Sequence, residues 1–70
     1  MDPVVKFTFR IPGAGTGWKK VKILEGENVI FEEDIVILNN WMRFKVKGGK
    51  LKMGIIYTLD VELKKANENL

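Results

Sequence analysis

Apolar and polar residues alternate with a period of two from Val4 to Ile11. This alternation is typical of a β-strand with one buried face, and it predicts a first strand here. Pro12 and the three glycines of the next five residues end that strand, because proline lacks a backbone donor and glycine leaves the backbone permissive. We predict a second strand from Trp18 to Leu24, followed by a turn at residues 25–28.

The segment from Val29 to Leu38 is rich in β-branched residues and predicts a third strand. Three consecutive acids at positions 32–34 interrupt it, so we expect a bend or a bulge there. Asn39-Asn40 is expected to form a two-residue turn, because asparagine tolerates a positive φ. The predicted register across this turn is Leu38 opposite Trp41, Ile37 opposite Met42, Ile35 opposite Phe44, Asp34 opposite Lys45 and Glu32 opposite Lys47.

Gly48-Gly49 predicts a second tight turn, inside an antiparallel hairpin from about Trp41 to Tyr57. The last strand is predicted to run from about Lys50 to Leu63. The inward pairs of this hairpin are Val46 with Leu51, Phe44 with Met53 and Met42 with Ile55. The outward pairs are Lys47 with Lys50, Lys45 with Lys52, Arg43 with Gly54 and Trp41 with Ile56.

These elements predict an all-β fold, a small five-stranded antiparallel meander forming a curved sheet or a partly closed barrel. In shape such a sheet is similar to SH3-like and OB-like barrels, although no motif in the chain secures either one. Pairing of the first and last strands would close the barrel and remove an exposed edge. We expect one domain over residues 1–70, with a folded core at 4–63 and a frayed tail at 64–70.

The composition is that of a folded globule, with 46% hydrophobic and 30% charged residues. The 70 residues include no Cys, His, Ser or Gln, and the abundance of Lys, Glu, Ile and Val resembles that of proteins from hot environments. So short a chain buries limited surface, and we expect a regular sheet, a tight core or a homo-oligomer to compensate. No secretory signal or membrane span is visible, which favours a cytoplasmic location.

Catalysis is not expected, because the usual nucleophiles and the usual proton shuttle at neutral pH are missing. The acids at 32–34 are the remaining candidates for acid–base or cation chemistry, but a solvated segment paired with Lys45 and Lys47 is the simpler interpretation. The glycine-rich loop at 13–17 is followed by a strand pattern and not by a helix, so we favour a plain loop over a phosphate site. No cofactor and no metal are predicted.

The charge pattern provides the strongest functional signal, because residues 41–52 carry five basic side chains and no acid. In the predicted register all five lie on the solvent face together with Trp41, an arrangement suited to single-stranded nucleic acid. Trp18, Lys20 and Lys22 would extend that surface. The predicted nucleic-acid-binding residues are Trp41, Arg43, Lys45, Lys47, Lys50, Lys52, Trp18, Lys20 and Lys22.

Two observations keep an alternative open. Residues 25–34 hold five acids and no base, which would neutralise much of the hairpin if these strands paired. An exposed patch of Leu38, Trp41 and Ile56 would instead make the domain a protein-interaction module or a small subunit of a larger assembly. Basic neighbours around an exposed Trp41 favour nucleic acid, and aliphatic neighbours favour a protein partner.

Overall fold

The computed structural model describes residues 3–62. Residue 63, where the last strand was predicted to end, and the predicted tail at 64–70 lie outside this range. No helix in the described part is long and apolar enough to cross a membrane. The elements are β1 (Val4–Arg10), β2 (Gly17–Glu25), β3 (Asn28–Leu38), β4 (Trp41–Lys47), one 3₁₀ turn (Gly48–Lys50) and β5 (Thr58–Glu62).

The five strands form one antiparallel sheet in the order β1-β4-β3-β2-β5, curled into a half-barrel. The predicted all-β class and curved five-stranded antiparallel sheet are confirmed. The strand order differs from that of a plain meander, because β1 lies beside β4 and β5 lies beside β2. Each neighbouring pair is antiparallel, so β1 and β5, at the two ends of the sheet, run in the same direction.

The concave face of the sheet holds the core, in which phenylalanine rings pack around Phe44. The ring centroid of Phe44 lies 5.2 Å from that of Phe7, 5.3 Å from that of Phe31 and 6.1 Å from that of Phe9. Such aromatic contacts add to the free energy gained by burying the rings. The buried core consists of Val21, Ile23, Phe31, Ile37, Met42, Phe44 and Val46.

The predicted Asn39-Asn40 turn is confirmed. Both residues have positive φ, 50° and 72°, and the turn sets Leu38 opposite Trp41 and Ile37 opposite Met42. The β3–β4 ladder ends after these two pairs, because β3 continues beside β2 and β4 continues beside β1. The predicted pairs Ile35 with Phe44, Asp34 with Lys45 and Glu32 with Lys47 are therefore wrong.

The predicted hairpin from Trp41 to Tyr57 is wrong, because β1 occupies the edge of β4 that the hairpin needed. The Gly48 amide donates to the carbonyl of Pro3, at 2.8 Å, and the Leu51 amide then donates to that of Gly48, at 3.0 Å. These bonds turn the chain away from β4. Pairing with β1 brings the aromatic rings of Phe7 and Phe9 against the core. The predicted hairpin would have brought Met53 and Ile55 there instead, which have no rings to stack on Phe44.

Residues 51–57 are consequently an irregular segment and not a strand. Met53 and Ile56 are 98% and 91% exposed, so the predicted inward position of Met53 is wrong and Ile56 does not face Trp41. The other predicted hairpin pairs, Val46 with Leu51, Met42 with Ile55, Lys47 with Lys50, Lys45 with Lys52 and Arg43 with Gly54, are likewise replaced by the β1–β4 ladder.

The irregularity expected at the three acids lies two residues earlier. The β2–β3 register shifts where Ile23 faces Phe31 and Leu24 faces Val29, which leaves Ile30 as the extra residue of a bulge. The acids at 32–34 remain in a regular part of the ladder, because all three side chains are exposed and no burial opposes them.

Pairing between the first and last strands does not occur within residues 3–62, since β1 and β5 lie at opposite ends of the sheet. The segment 51–57 packs between them on the core side. Its residues Leu51 and Tyr57 line the same cavity, of about 430 Å³, as Phe7 of β1 and Leu59 of β5. The half-barrel therefore stays open.

Candidate functional site on the outer face

The convex face of β1 and β4 carries a row of exposed basic side chains, which we call the basic strip. The β1–β4 register sets Lys6 opposite Lys45, Thr8 opposite Arg43 and Arg10 opposite Trp41. Because β4 alternates strictly between buried and exposed positions, all of its charged side chains point outward. Neither strand contains an acid. The basic strip consists of Lys6, Arg10, Arg43, Lys45 and Lys47.

Two members of the basic strip, Lys6 and Arg10, were missed by the sequence analysis. The alternation of β1 places both on the polar face of their strand, and this was visible in the sequence. The alternation within β1 does not, however, indicate which strand lies beside it. Because β1 lies beside β4, Lys6 faces Lys45 directly, and like charges in such a pair lower the stability of the sheet.

The acids of β3 lie opposite the lysines of β2 and not opposite the basic side chains of β4. Lys20 lies opposite Asp34 on one side and Glu62 on the other, and its Nζ is 3.5 Å from Oε2 of Glu32. Lys22 lies in the same way between Glu32 and Asp60. The two β2 lysines predicted to extend the binding surface therefore lie among acids, whereas the basic strip keeps its charge.

The acids at 32–34 divide between the two faces of β3. Glu32 and Asp34 point outward opposite lysines, while Glu33 lies opposite Val21. Within residues 3–62, no three His, Cys, Asp or Glu side chains form a group that could hold a metal ion.

Lys50 and Lys52 also lie apart from the basic strip. The Nζ of Lys50 is 3.4 Å from the carbonyl oxygen of Ile30, at the start of β3. The Nζ of Lys52 is 3.6 Å from Oε2 of Glu25, at the end of β2. Both lysines follow β4 in the chain, and the 3₁₀ turn directs them to this other region.

Beside the basic strip, four apolar side chains form an exposed band across β2, β3 and β4, which we call the apolar row. Trp18 faces Val36, and Leu38 faces Trp41. Their exposed fractions are 67% for Trp18, 41% for Val36, 59% for Leu38 and 46% for Trp41. A shallow groove of about 440 Å³ is lined by three of them together with Asn39 and Arg43. Trp41 thus touches both surfaces, with Leu38 on one side and Arg10 on the other.

The glycine-rich loop supports the turn that precedes Trp41. The Gly15 amide donates to Oδ1 of Asn40, at 2.6 Å, and the Asn40 amide donates to the carbonyl of Gly15, at 2.9 Å. The Asn39 amide donates to Oγ1 of Thr16, at 3.0 Å. The loop thus uses its hydrogen bonds to hold the Asn39-Asn40 turn, which fixes the start of β4 and the position of Trp41.

No family model, no curated protein and no solved structure is significantly similar to this chain. The function is therefore inferred from the outer face itself.

Proposed function

We propose that the domain is a cytoplasmic, non-catalytic binding module for single-stranded nucleic acid, which it contacts through the basic strip and Trp41. The observation that carries this proposal is the concentration of five cations on two adjacent strands that contain no acid. Lys6 and Lys45 face each other although their repulsion costs stability, and an anionic ligand would relieve that repulsion. Phosphate groups are the ligand that such a strip suits best.

The two tryptophans favour a single strand over a duplex. Trp18 and Trp41 are separated by β3 and offset by two residues along it, so by ordinary strand spacing and rise their backbones lie about 12 Å apart. Successive bases stacked in a duplex are only about 3.4 Å apart. Bases that contact both rings must therefore be unstacked from each other, which a flexible single strand allows. Val36 and Leu38 would provide the apolar surface between the two rings.

The structure sets the size of the expected effects. Five phosphate contacts by the basic strip would give a slope of about −3.5 for log K against log salt concentration with a single strand. Between roughly 50 and 200 mM salt this slope corresponds to about a hundredfold loss of affinity. Stacking of one base on Trp41 would contribute about 1–3 kcal/mol.

Titration with oligonucleotides, followed by tryptophan fluorescence at two salt concentrations, tests this proposal. We expect a single-stranded oligonucleotide to quench the fluorescence and to bind more weakly at higher salt. A duplex of the same sequence should bind less tightly, because its bases are not available to the rings. Absence of salt-dependent binding to either form would refute the proposal.

The apolar row supports a second candidate function, docking of a protein partner. Two tryptophans and two aliphatic side chains at 41–67% exposure form an apolar surface larger than isolated exposed residues provide. Tryptophan is also frequent among the residues that dominate protein interfaces. The predicted patch of Leu38, Trp41 and Ile56 differs from the apolar row, because Ile56 belongs to the irregular segment 51–57 and does not lie opposite Trp41. Docking of a protein partner would lead if the titration showed no binding of nucleic acid.

A further inference from the structure

Within residues 3–62, the half-barrel has two free edges. In the described part of the chain, β1 pairs only with β4 and β5 pairs only with β2. Among residues 3–62, no backbone hydrogen bond outside these ladders involves a residue of β1 or β5. Each strand therefore presents unpaired backbone donors and acceptors along one side, and such an edge favours pairing with another strand.

The two edges are complementary in charge on the outer face. The exposed bases Lys6 and Arg10 alternate along β1, and the exposed acids Asp60 and Glu62 alternate along β5. If the two edges lay side by side, bases would face acids at neighbouring positions. Opposite charges across a strand pair are favourable, and like charges are unfavourable.

The edges are also complementary on the inner face. Phe7 and Phe9 of β1 and Leu59 and Val61 of β5 point toward the core but are only partly buried. Pairing of the two edges would bring these four side chains together and remove more apolar surface from water. Within one molecule, β1 and β5 lie at opposite ends of the sheet and do not pair over residues 3–62.

We infer that the free edge of β1 pairs with the free edge of β5 from a second copy of this chain. Because β1 and β5 run in the same direction around the sheet, copies that keep their apolar faces inward join these edges as parallel strands. In two half-barrels related by a twofold axis along the barrel, β1 of each copy lies beside β5 of the other. The contact therefore forms twice, and we call each of the two a seam. The resulting dimer is a closed barrel with no free edge.

Charge disfavours the two simpler symmetric contacts, of β1 with β1 and of β5 with β5. An antiparallel contact of β1 with its own copy sets Lys6 and Arg10 against the same bases. The corresponding contact of β5 sets Asp60 and Glu62 against the same acids. Both arrangements place like charges opposite each other, whereas the β1 to β5 contact places bases beside acids.

The molar mass in solution gives the first test. We expect light scattering to give twice the 8.0 kDa mass of the chain, with dissociation on dilution. A monomer at every concentration from micromolar to millimolar would overturn the inference.

Charge reversal gives the second test. Two double variants should each weaken self-association about tenfold or more: Lys6→Glu/Arg10→Glu and Asp60→Lys/Glu62→Lys. In the first variant both edges carry acids and in the second both carry bases, so two copies of the same variant bring like charges together. An equimolar mixture should restore the dimer, since both seams then join a base to an acid. Recovery in the mixture also shows that both variants are folded. Dimers that survive in each variant alone, or a mixture that stays monomeric, would contradict the proposed pairing.

A matched control keeps the overall charge change the same. Glu27→Lys/Asp34→Lys alters two exposed acids outside β1 and β5 and off the inner face by the same total charge, and we expect it to leave the dimer intact. The variant Asp60→Lys/Glu62→Lys retains the whole basic strip. If its monomer binds a single-stranded oligonucleotide and loses most of that affinity when Trp41→Ala is added, the proposed function is supported even without the dimer, and the two proposals can fail separately.

Discussion

Replacing Lys45 by glutamine should change stability and binding in opposite directions. Lys45 lies opposite Lys6 in the β1–β4 ladder, and both side chains are exposed. Like charges directly opposite each other cost roughly 0.2–1 kcal/mol, so Lys45→Gln should raise the free energy of unfolding by about that amount. For a domain of this size the increase corresponds to a rise in Tm of about 1–8 °C.

The same substitution should weaken binding of a single-stranded oligonucleotide. Loss of one phosphate contact should reduce the salt slope by about 0.7, and at roughly 0.1 M salt it should lower the affinity about fivefold. Urea or thermal unfolding measures the stability, and titration at several salt concentrations gives the slope. Stability and binding would then respond oppositely to one charge, which is expected of a cation placed for a ligand and not for the fold.

Lys20→Gln is the matched control. Lys20 lies opposite Asp34 and 3.5 Å from Glu32, so removing its charge should leave stability unchanged or lower it by up to about 0.5 kcal/mol. Its salt slope should equal that of the unmodified protein, because acids already surround this lysine. The reasoning is refuted if Lys45→Gln is less stable than the parent, or if both variants reduce the slope equally.

Four further substitutions test the stacking residue, the core and the turn. Trp41→Ala should weaken single-strand binding by about 1–3 kcal/mol in titration while leaving the salt slope unchanged. Phe44→Ala should cost about 3–5 kcal/mol and unfold much of the domain by circular dichroism, because three other rings pack on Phe44. Asn40→Gly loses the hydrogen bond from the Gly15 amide and should cost about 0.5–1.5 kcal/mol in urea unfolding. Asn39→Gly keeps that bond and should cost less.

The local parts of the fold were predictable because they depend on local chemistry. Alternation along β4 placed Trp41 and Arg43 on the outer face, and the positive φ of the two asparagines agreed with the turn expected of them. Both features are determined by residues close together in the chain, so the period of two and the turn residues suffice to predict them.

The partner of β4 was not predictable in the same way. Gly48-Gly49 fits a tight turn, and apolar residues recur at every second position from 51 to 55, as in a strand that pairs back onto β4. The local pattern therefore favoured a hairpin. The strand β1, more than thirty residues earlier in the chain, pairs with β4 instead and adds Phe7 and Phe9 to the aromatic core. Local periodicity does not compare the burial offered by distant competing strands.

That one difference in pairing reorganises the candidate site. Lys6 and Arg10 join the basic strip, whereas Lys50 and Lys52 lie beside β2 and β3. The acids expected to neutralise β4 face the lysines of β2 instead. The strongest objection to a basic surface in the sequence analysis therefore depended on a strand pairing that the structure does not contain.

Mapping backbone amide shifts by NMR during titration with a single-stranded oligonucleotide tests the proposed interface most directly. We predict that the largest shifts occur in β1 and β4 and at the indole of Trp41, and that they diminish as salt is added. Shifts confined to β5 or to segment 51–57, or a spectrum that the oligonucleotide leaves unchanged, would contradict the proposed interface.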